Sequence, residues 1–187
     1  GGDRYENEND SILGLKYKLK QDTWSIPINP NLSPKVRGAR NEDFSLKTEE
    51  DIEAMVTPGN LLKICAIRLA HCSYDPLKIL SQLQTNFNIL YRRTLQLMGP
   101  GADWRDPVPP ELVPDWKSVL KMALECQHIQ FPRFLFDDMA EDSPILLITF
   151  CDGSLECSNA VSFVRYKTKS GEWRCQLVAG SNKLSQA

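Results

Sequence analysis

The sequence contains no apolar run near the roughly 20 residues that a membrane-spanning helix needs. Its longest apolar stretch, Pro144 to Phe150, suits a buried strand instead. Neither sign of charge predominates: 22 Lys and Arg stand against 24 Asp and Glu, and the net charge of −2 gives no general electrostatic case for nucleic-acid binding. Asp-Thr-Gly and Asp-Ser-Gly triplets are absent, which argues against the paired carboxylates of an aspartic peptidase. We therefore expect a globular chain with no membrane partner.

An initiator methionine and an apolar signal segment are missing too, which favours an excised or processed piece of a longer protein. The six cysteines are scattered through apolar patterns and are not spaced like a small disulfide scaffold. We predict that they are reduced and mostly buried, in an intracellular protein, cytoplasmic or nuclear. His71-Cys72 and Cys126-Gln127-His128 lack a second ligand pair at zinc-finger spacing, so core or boundary positions are favoured over zinc.

The first 28 residues begin with a polar segment, which is followed by two segments in which apolar and polar residues alternate. Residues 1–11 contain almost no apolar side chains and predict a disordered N-terminus. Residues 13–20 and 23–28 each alternate apolar and polar side chains, with Gln21-Asp22 between them. This pattern predicts a β-hairpin with one solvent-exposed face.

Helical spacing follows a loop that is predicted for residues 29–47. Thr48 and Asp51 form an N-cap signal for a short helix that ends near Met55. Three longer helices are predicted to start at Thr57-Pro58, at Asp75-Pro76 and at Pro110. Their apolar stripes are Leu61, Cys65, Leu69 and Cys72; Leu80, Leu83, Phe87, Leu90, Thr94 and Leu97; and Leu112, Trp116, Val119 or Leu120, and Ala123. This is a three-helix layer, for which Trp104 and Trp116 are the predicted core anchors.

The last part of the chain is strand-like. An acidic break, Asp137 to Asp142, separates it from the helical region. Residues 145–151, 160–166 and 173–178 predict three successive strands without a crossover helix, which is an antiparallel meander. The predicted fold class is therefore α+β.

Three stretches resemble one region of BEL/Pao-type retrotransposon polyproteins, the Pao retrotransposon peptidase segment. Leu13 to Tyr17 is similar to the family's Leu-Gly-Leu-x-Trp, with Tyr17 in place of tryptophan. Tyr74 to Leu80 is similar to Phe/Tyr-Asp-Pro-Leu-Gly-Leu-Leu, with Lys78 in place of glycine. The third stretch runs from Trp104-Arg105-Asp106-Pro107-Val108-Pro109 through Trp116 to Ile129-Gln130-Phe131-Pro132-Arg133, like the family's Trp-Asp-x-x-Leu-Pro, Trp and Ile-x-Ile-Pro-Arg series.

The resemblance implies a division of the chain. Residues 12–136 would correspond to the thumb and connection of a reverse transcriptase, and residues 144–187 to the N-terminal part of a ribonuclease H-like domain. Ile148 to Ser154 resembles the first strand of that fold and places its catalytic, metal-binding aspartate at Asp152. A complete domain would hold Mg²⁺ there, and two such ions would clamp the scissile phosphate. Asp-Gly-Ser is also a common turn, so a turn role for Asp152 stays open.

One carboxylate cannot hold two ions, and the further acids that the resemblance implies lie beyond Ala187. We therefore expect no cofactor for this chain alone and no RNA hydrolysis by it, although whether it counts as part of an enzyme stays open. The candidate phosphate-binding residues are Lys16, Lys18 and Lys20 on the first strand and Arg92 and Arg93 on the second helix. Solvated sheet and helix faces explain these five residues equally well.

Two functions follow from the sequence. The first is structural support and nucleic-acid handling inside a retroelement reverse transcriptase. Its partners would be an RNA–DNA hybrid or nucleic-acid duplex and the remaining polyprotein domains. The alternative is a domesticated, retroelement-derived module without enzymatic activity that binds a host protein.

Overall fold

The structure is a computed structural model that describes residues 10–12, 14–34 and 42–185. The described residues form four α-helices and seven β-strands, so the chain is α+β as predicted. It divides into two compact units, each assembled from separate stretches of sequence. Unit 1 comprises Gly1–Ile26, Asp75–Gln82 and Gln130–Ala187, and unit 2 comprises Pro27–Tyr74 and Leu83–Ile129.

Unit 1 contains an antiparallel sheet of short strands. In the described residues its strands are β1 (Asp10–Ile12), β2 (Leu15–Lys18), β3 (Thr23–Ser25) and β4 (Phe131–Pro132), and they follow one another in that order across the sheet. The predicted hairpin corresponds to β2 and β3, which pair through Tyr17 and Trp24. The tyrosine ring packs against the tryptophan ring at 4.8 Å between centroids. The predicted disorder of residues 1–11 falls almost wholly outside the described residues, and Asp10 and Ser11 belong to β1.

A second antiparallel sheet makes up most of unit 1. Its described strands are β5 (Leu146–Gly153), β6 (Cys157–Lys167) and β7 (Trp173–Leu184), in the order β5-β6-β7. All three positions match the predicted meander, and each strand is longer than predicted. The sheet is packed at one end, where Tyr166 is fully buried and Phe136 lies edge-on against it at 5.7 Å.

The prediction that Pro144 to Phe150 forms a buried strand is wrong about burial. Leu147 is 69% exposed and Phe150 is 62% exposed. An apolar run identifies a strand, but its burial depends on what packs over the sheet, which a local pattern does not encode. The six cysteines are free thiols, but they are not mostly buried: Cys65 and Cys72 are buried, Cys126 and Cys157 are half-buried, and Cys151 and Cys175 are exposed.

Unit 2 is built from helices. These are α1 (Glu49–Met55), α2 (Lys63–Ala70), α3 (Ser81–Met98, whose first two residues belong to unit 1) and α4 (Val113–Cys126). A capping box at Thr48 and Asp51 starts α1 where the sequence predicted it. The core of unit 2 includes Ile52, Leu61, Leu69, Phe87, Trp116 and Leu120, all fully buried. The indole N–H of Trp116 donates to the Thr94 hydroxyl at 3.1 Å, which satisfies both polar groups inside the core.

A 3-10 turn, Pro110–Leu112, precedes α4 at the predicted position. The helices α2 and α3 begin five or more residues later than predicted, and the reason for α2 is tertiary. The amides of Lys63 and Ile64 donate to the carbonyls of Asp106 and Trp104, so a neighbouring loop supplies the partners for the start of the helix. Residues 57–62 accordingly form a turn and a bridge that pairs Leu62 with Pro107.

The later start of α3 has a local reason. Lys78 adopts a positive φ of 57°, which interrupts a helix at that point. The carboxylate of Asp75 accepts the Leu80 amide at 2.6 Å, and Ser81 then begins α3.

Two apolar residues that were predicted to be buried, Leu97 and Trp104, are exposed. Leu97 is 56% exposed although it continues the stripe of α3, because the helix is near its end there. Trp104 is 51% exposed and is not a core anchor; the Lys63 ammonium lies 5.1 Å from the centre of its ring. Among the described residues, no helix has the length and apolar character needed to cross a membrane.

Candidate functional site

Asp152 lies inside β5 and not in the hairpin turn. It pairs with Asn159 of β6, and that asparagine pairs in turn with Asn182 of β7. Directly opposed residues of an antiparallel sheet share a face, so these three polar side chains form a row across one face. The turn itself consists of residues 154–156, which means that the turn alternative does not describe the position of Asp152.

The row continues to a basic side chain. The Lys78 ammonium donates to Asn182 Oδ1 at 3.2 Å, and the Asn182 amide donates to the Ser81 carbonyl at 3.4 Å. The Asp152 carboxylate is exposed and accepts the amide of Gly153 at 2.9 Å. It is therefore open to solvent on a polar strip of the sheet.

The donor set around Asp152 does not fit a complete two-ion site. Across the described residues, no group of three or more His, Cys, Asp or Glu side chains is placed to hold a metal ion. Magnesium bound by a protein usually has one or two carboxylates and fills its other positions with water and phosphate oxygens. Asp152 offers one carboxylate, which does not make up the ligand set of two ions, so the described residues support no metal-dependent hydrolysis.

The predicted lysines of unit 1 lie on and just after β2. Lys16 and Lys18 are two residues apart and share one face of the strand, opposite Leu15 and Tyr17. Lys16 is exposed and Lys18 is half-buried, while Lys20 is exposed in the 3-10 turn Leu19–Gln21. The three ammonium groups thus belong to one short segment.

The same sheet carries a charged cluster that the sequence did not reveal. Arg133, next to β4, contacts both oxygens of the Asp22 carboxylate, at 2.5 Å through Nε and at 3.1 Å through its terminal nitrogen. Tyr17 donates its hydroxyl to the same carboxylate at 2.6 Å. Asp22 and Arg133 are 111 positions apart, so spacing alone gives no signal for the cluster.

The cluster shifts the titration of its members. The hydrogen bond from Arg133, followed by that from Tyr17, holds the pKa of Asp22 below its ordinary value. The hydrogen bond to Asp22 raises the pKa of the Tyr17 hydroxyl. Tyr17 and Arg133 come from the first and third stretches that carry the BEL/Pao resemblance, so the structure brings these two stretches together.

The predicted arginines lie on the part of α3 that belongs to unit 2. Arg92 is half-buried, and Arg93 is exposed and forms an ion pair with Asp115 at 3.2 Å. Because both side chains of that pair are about half exposed, the pair contributes little to stability and leaves Arg93 able to change partners. The lysines and the arginines thus belong to different units.

Comparison with known proteins assigns the family. A protein-family model described as "Pao retrotransposon-like RNaseH-like domain" matches residues 63–187. The match covers most of the chain, and the chain therefore belongs to this family, as the resemblance in its sequence indicated. It is a segment of a Pao-type retrotransposon polyprotein. Neither the curated proteins nor the solved structures contain a match to it.

Proposed function

We propose that this chain supports the architecture of a retroelement reverse transcriptase–ribonuclease H polyprotein and helps to hold its nucleic acid, without being a complete enzyme. The observation that carries the proposal is the family match, which runs through the β5–β7 sheet and includes Asp152. A ribonuclease H-like relationship points to a duplex of RNA and DNA as the ligand class.

In this proposal residues 12–136 act as a thumb and connection, and residues 144–187 form the first part of a ribonuclease H-like domain. The antiparallel meander with an aspartate near the end of its first strand supports the second assignment. The compact units are divided differently, because residues 130–187 all belong to unit 1. The boundary that we propose between residues 136 and 144 therefore separates two regions of different evolutionary origin. It does not coincide with the boundary between the two compact units.

Asp152 would supply one carboxylate to a magnesium site that other parts of the polyprotein complete. Its exposure is what such a role requires, because a carboxylate that receives further ligands and a phosphate from outside cannot be covered. Since the described residues hold no group of three such ligands, we expect no RNA hydrolysis by this chain alone.

Lys16, Lys18 and Lys20 are the proposed contacts to phosphate in unit 1, and Arg92 and Arg93 are those in unit 2. Since the net charge of the chain is −2, any attraction for a duplex has to come from such local groups. Phosphate contacts of this kind position a duplex without reading its sequence.

A titration of the chain against an RNA–DNA hybrid at low and at physiological salt tests the proposal. We expect binding at low salt that weakens as salt rises. The double variant Lys16→Gln/Lys18→Gln should reduce the slope of log K against log salt by about 1 to 2, because each phosphate contact contributes about 0.7 to 0.9. Undetectable binding at low salt would contradict the nucleic-acid role.

The matched control is Lys117→Gln/Lys121→Gln, which removes the same charge from another surface. Both of these lysines contact Glu53, at 2.5 Å and 2.9 Å. If this control reduces the salt slope as much as the first variant does, the effect comes from net charge and the lysines of β2 have no special role.

A protein-interaction module is the second candidate, and one observation favours it. Leu147, Phe150 and Leu155 of the β5–β6 hairpin are 69%, 62% and 97% exposed. Leu147 and Phe150 point to opposite faces of β5, so both faces of this hairpin carry exposed apolar side chains. Exposed apolar surface is typical of protein-binding sites. Loss of hybrid binding together with capture of a defined polyprotein or host fragment by this hairpin would favour the second candidate.

A further inference from the structure

Unit 1 carries a basic and aromatic cluster at the end of the large sheet where β6 turns into β7. Its members are Arg165 and Lys167 of β6 and Trp173, the first residue of β7, and we call them the Trp173 cluster. The guanidinium carbon of Arg165 lies 4.3 Å from the centre of the Trp173 ring, and the Lys167 ammonium lies 5.3 Å from it. Cations at these distances are attracted to the indole, so both side chains are held beside the ring.

The Trp173 cluster lies on the face of the sheet that carries Asp152. Lys167 pairs directly with Trp173, and Arg165 is two residues from Lys167, so all three side chains share one face. Asn159, the partner of Asp152, is an even number of residues from Lys167 along the same strand. The register shift between β6 and β7 adds a residue to β7, so the side chains of β6 alternate throughout. One face therefore carries both the polar row and the cluster.

The two cations of the cluster are not balanced by a carboxylate. Neither Arg165 nor Lys167 forms an ion pair with the described Asp and Glu side chains, the nearby Glu172 included. Arg174 differs, because it points to the opposite face and lies 3.9 Å from the Asp137 carboxylate. Two uncompensated positive charges on one face attract an anionic ligand.

Trp173 adds a surface on which a flat ring can stack. Its side chain is 41% exposed even though two cations lie against it. Nucleic-acid bases stack on exposed aromatic rings and on the plane of a guanidinium group, and cations beside such a ring contact the phosphates. Bases within a duplex are already stacked on their neighbours, so an unpaired base is the better partner for this ring. The ligand class that matches the cluster is a single strand.

We propose that the Trp173 cluster binds a single-stranded segment of nucleic acid, with one base stacked on Trp173 and the adjoining phosphates held by Arg165 and Lys167. The inference rests on the proposed function in that both place nucleic acid on this chain, but it uses different residues and a different part of the ligand. Because every base has a ring face, the contact does not read sequence.

Two labelled probes of about twelve nucleotides, followed by fluorescence anisotropy at low salt, test the site. One is oligothymidylate, and the other is an abasic strand of the same length, which has the same phosphates and no bases. Oligothymidylate should bind roughly tenfold more tightly, because one base–aromatic stack contributes about that factor. Equal affinity for the two probes would overturn the proposal, since the cluster would then hold phosphate without a base.

Variants of the tryptophan test the stack. Trp173→Leu keeps an apolar side chain and removes the ring, so it should weaken oligothymidylate binding roughly tenfold and change abasic binding little. Trp173→Phe keeps an aromatic ring and should retain most of the preference for oligothymidylate. If Trp173→Phe loses as much affinity as Trp173→Leu, the loss does not come from stacking and the proposal fails.

Variants of the cations test the phosphate contacts. Arg165→Gln/Lys167→Gln should weaken both probes and reduce the slope of log K against log salt by about 1.4, because each phosphate contact to a single strand contributes about 0.7. The matched control is Arg174→Gln/Lys183→Gln, which removes the same charge from the opposite face and should leave both affinities unchanged. An equal effect of the two double variants would assign the binding to net charge and overturn the proposal.

The same variants separate this inference from the proposed function. If the RNA–DNA hybrid binds through the lysines of β2 while Trp173→Leu leaves oligothymidylate binding unchanged, the single-strand site is wrong and the duplex role stands. If oligothymidylate binds and depends on the Trp173 cluster while the hybrid does not bind, the duplex role is contradicted and the single-strand site stands.

Discussion

The helices of unit 2 and the β5–β7 sheet of unit 1 are equally apolar in sequence and differ in how much of that surface they bury. Trp116 and Leu120 of α4 are fully buried, whereas Leu147 and Phe150 of β5 are 69% and 62% exposed. A helix stripe in unit 2 meets other stripes of the same unit, so burial follows from the local pattern. The apolar side chains of a strand are buried only where another element packs over the sheet. Among the described residues such packing covers Tyr166 at one end and the part of β7 around Gly180, and it leaves most of β5 exposed.

This difference indicates where stability and function reside. Unit 2 has an interior with paired polar groups, such as Trp116 with Thr94, and gains its stability there. The open sheet contributes less burial and leaves both apolar groups and Asp152 accessible. Elements selected for interaction usually belong to the less stable part of a fold.

The largest effect is expected from Trp116→Ala, which tests the interior of unit 2. The ring is fully buried and lies 6.2 Å from the ring of Phe87. Its loss should lower the free energy of unfolding by about 3–5 kcal/mol, since it leaves a large cavity. Chemical denaturation measures this change. Trp104→Ala is the matched control, because Trp104 is 51% exposed; an equal loss in both variants would contradict the assignment of the core.

Gly180→Ala should have the next largest effect, in unit 1. The added methyl group would lie 2.0 Å from the Lys78 carbonyl oxygen, and backbone must move to admit it. We expect a loss of roughly 1–3 kcal/mol in the free energy of unfolding, as for other overpacked sites. Gly153→Ala, where nothing lies within 4 Å of the new methyl group, should be neutral or slightly stabilising. Equal stability of the two variants would show that the segment 75–80 does not pack tightly against β7.

Leu147→Ala tests the open sheet directly. At 69% exposure its side chain buries little area, so the free energy of unfolding should change by less than about 0.5 kcal/mol. The same substitution at Leu120, which is fully buried, should cost about 2–5 kcal/mol. A comparable loss at Leu147 would mean that its face of the sheet is covered in solution, and the comparison between the two regions would fail.

Local sequence patterns predicted where helices and strands occur. They predicted less well which residues are buried and which tertiary contacts set the ends of the helices. The capping box at Thr48, the stripe from Leu83 to Thr94 and the order of the last three strands could all be read from the sequence, because each depends on nearby residues. The later starts of α2 and α3 could not, since they depend on the carbonyls of Asp106 and Trp104 and on the positive φ of Lys78.

The candidate site shows the same limit. Asp152 was singled out because Ile148 to Ser154 resembles the first strand of a ribonuclease H-like domain, and the structure places Asp152 in β5. Nothing in the spacing of the sequence connected Tyr17 and Asp22 to Arg133, because a salt bridge between distant segments has no local signature.

The smallest effect concerns the titration of Asp22 on the surface of the short sheet. Hydrogen bonds from Arg133 and then from Tyr17 hold the pKa of Asp22 below its ordinary value. A lowered folded-state pKa contributes stability above the unfolded value of about 3.9, and this contribution is lost as the pH falls through the folded-state pKa. Arg133→Gln should therefore raise the pKa of Asp22 and flatten the loss of stability at acidic pH.

The carboxyl carbon resonance of Asp22, followed by NMR as the pH is lowered, measures that shift. Arg174→Gln serves as the control: Arg174 lies 3.9 Å from Asp137, and it should leave the Asp22 titration unchanged. If Arg133→Gln has no effect on the pKa of Asp22, the ion pair that connects β4 to the loop after β2 does not form in solution. The packing of the Tyr17 ring on the Trp24 ring would then stabilise the short sheet in place of the ion pair. In that case side-chain packing would stabilise this sheet, as it stabilises the helices of unit 2.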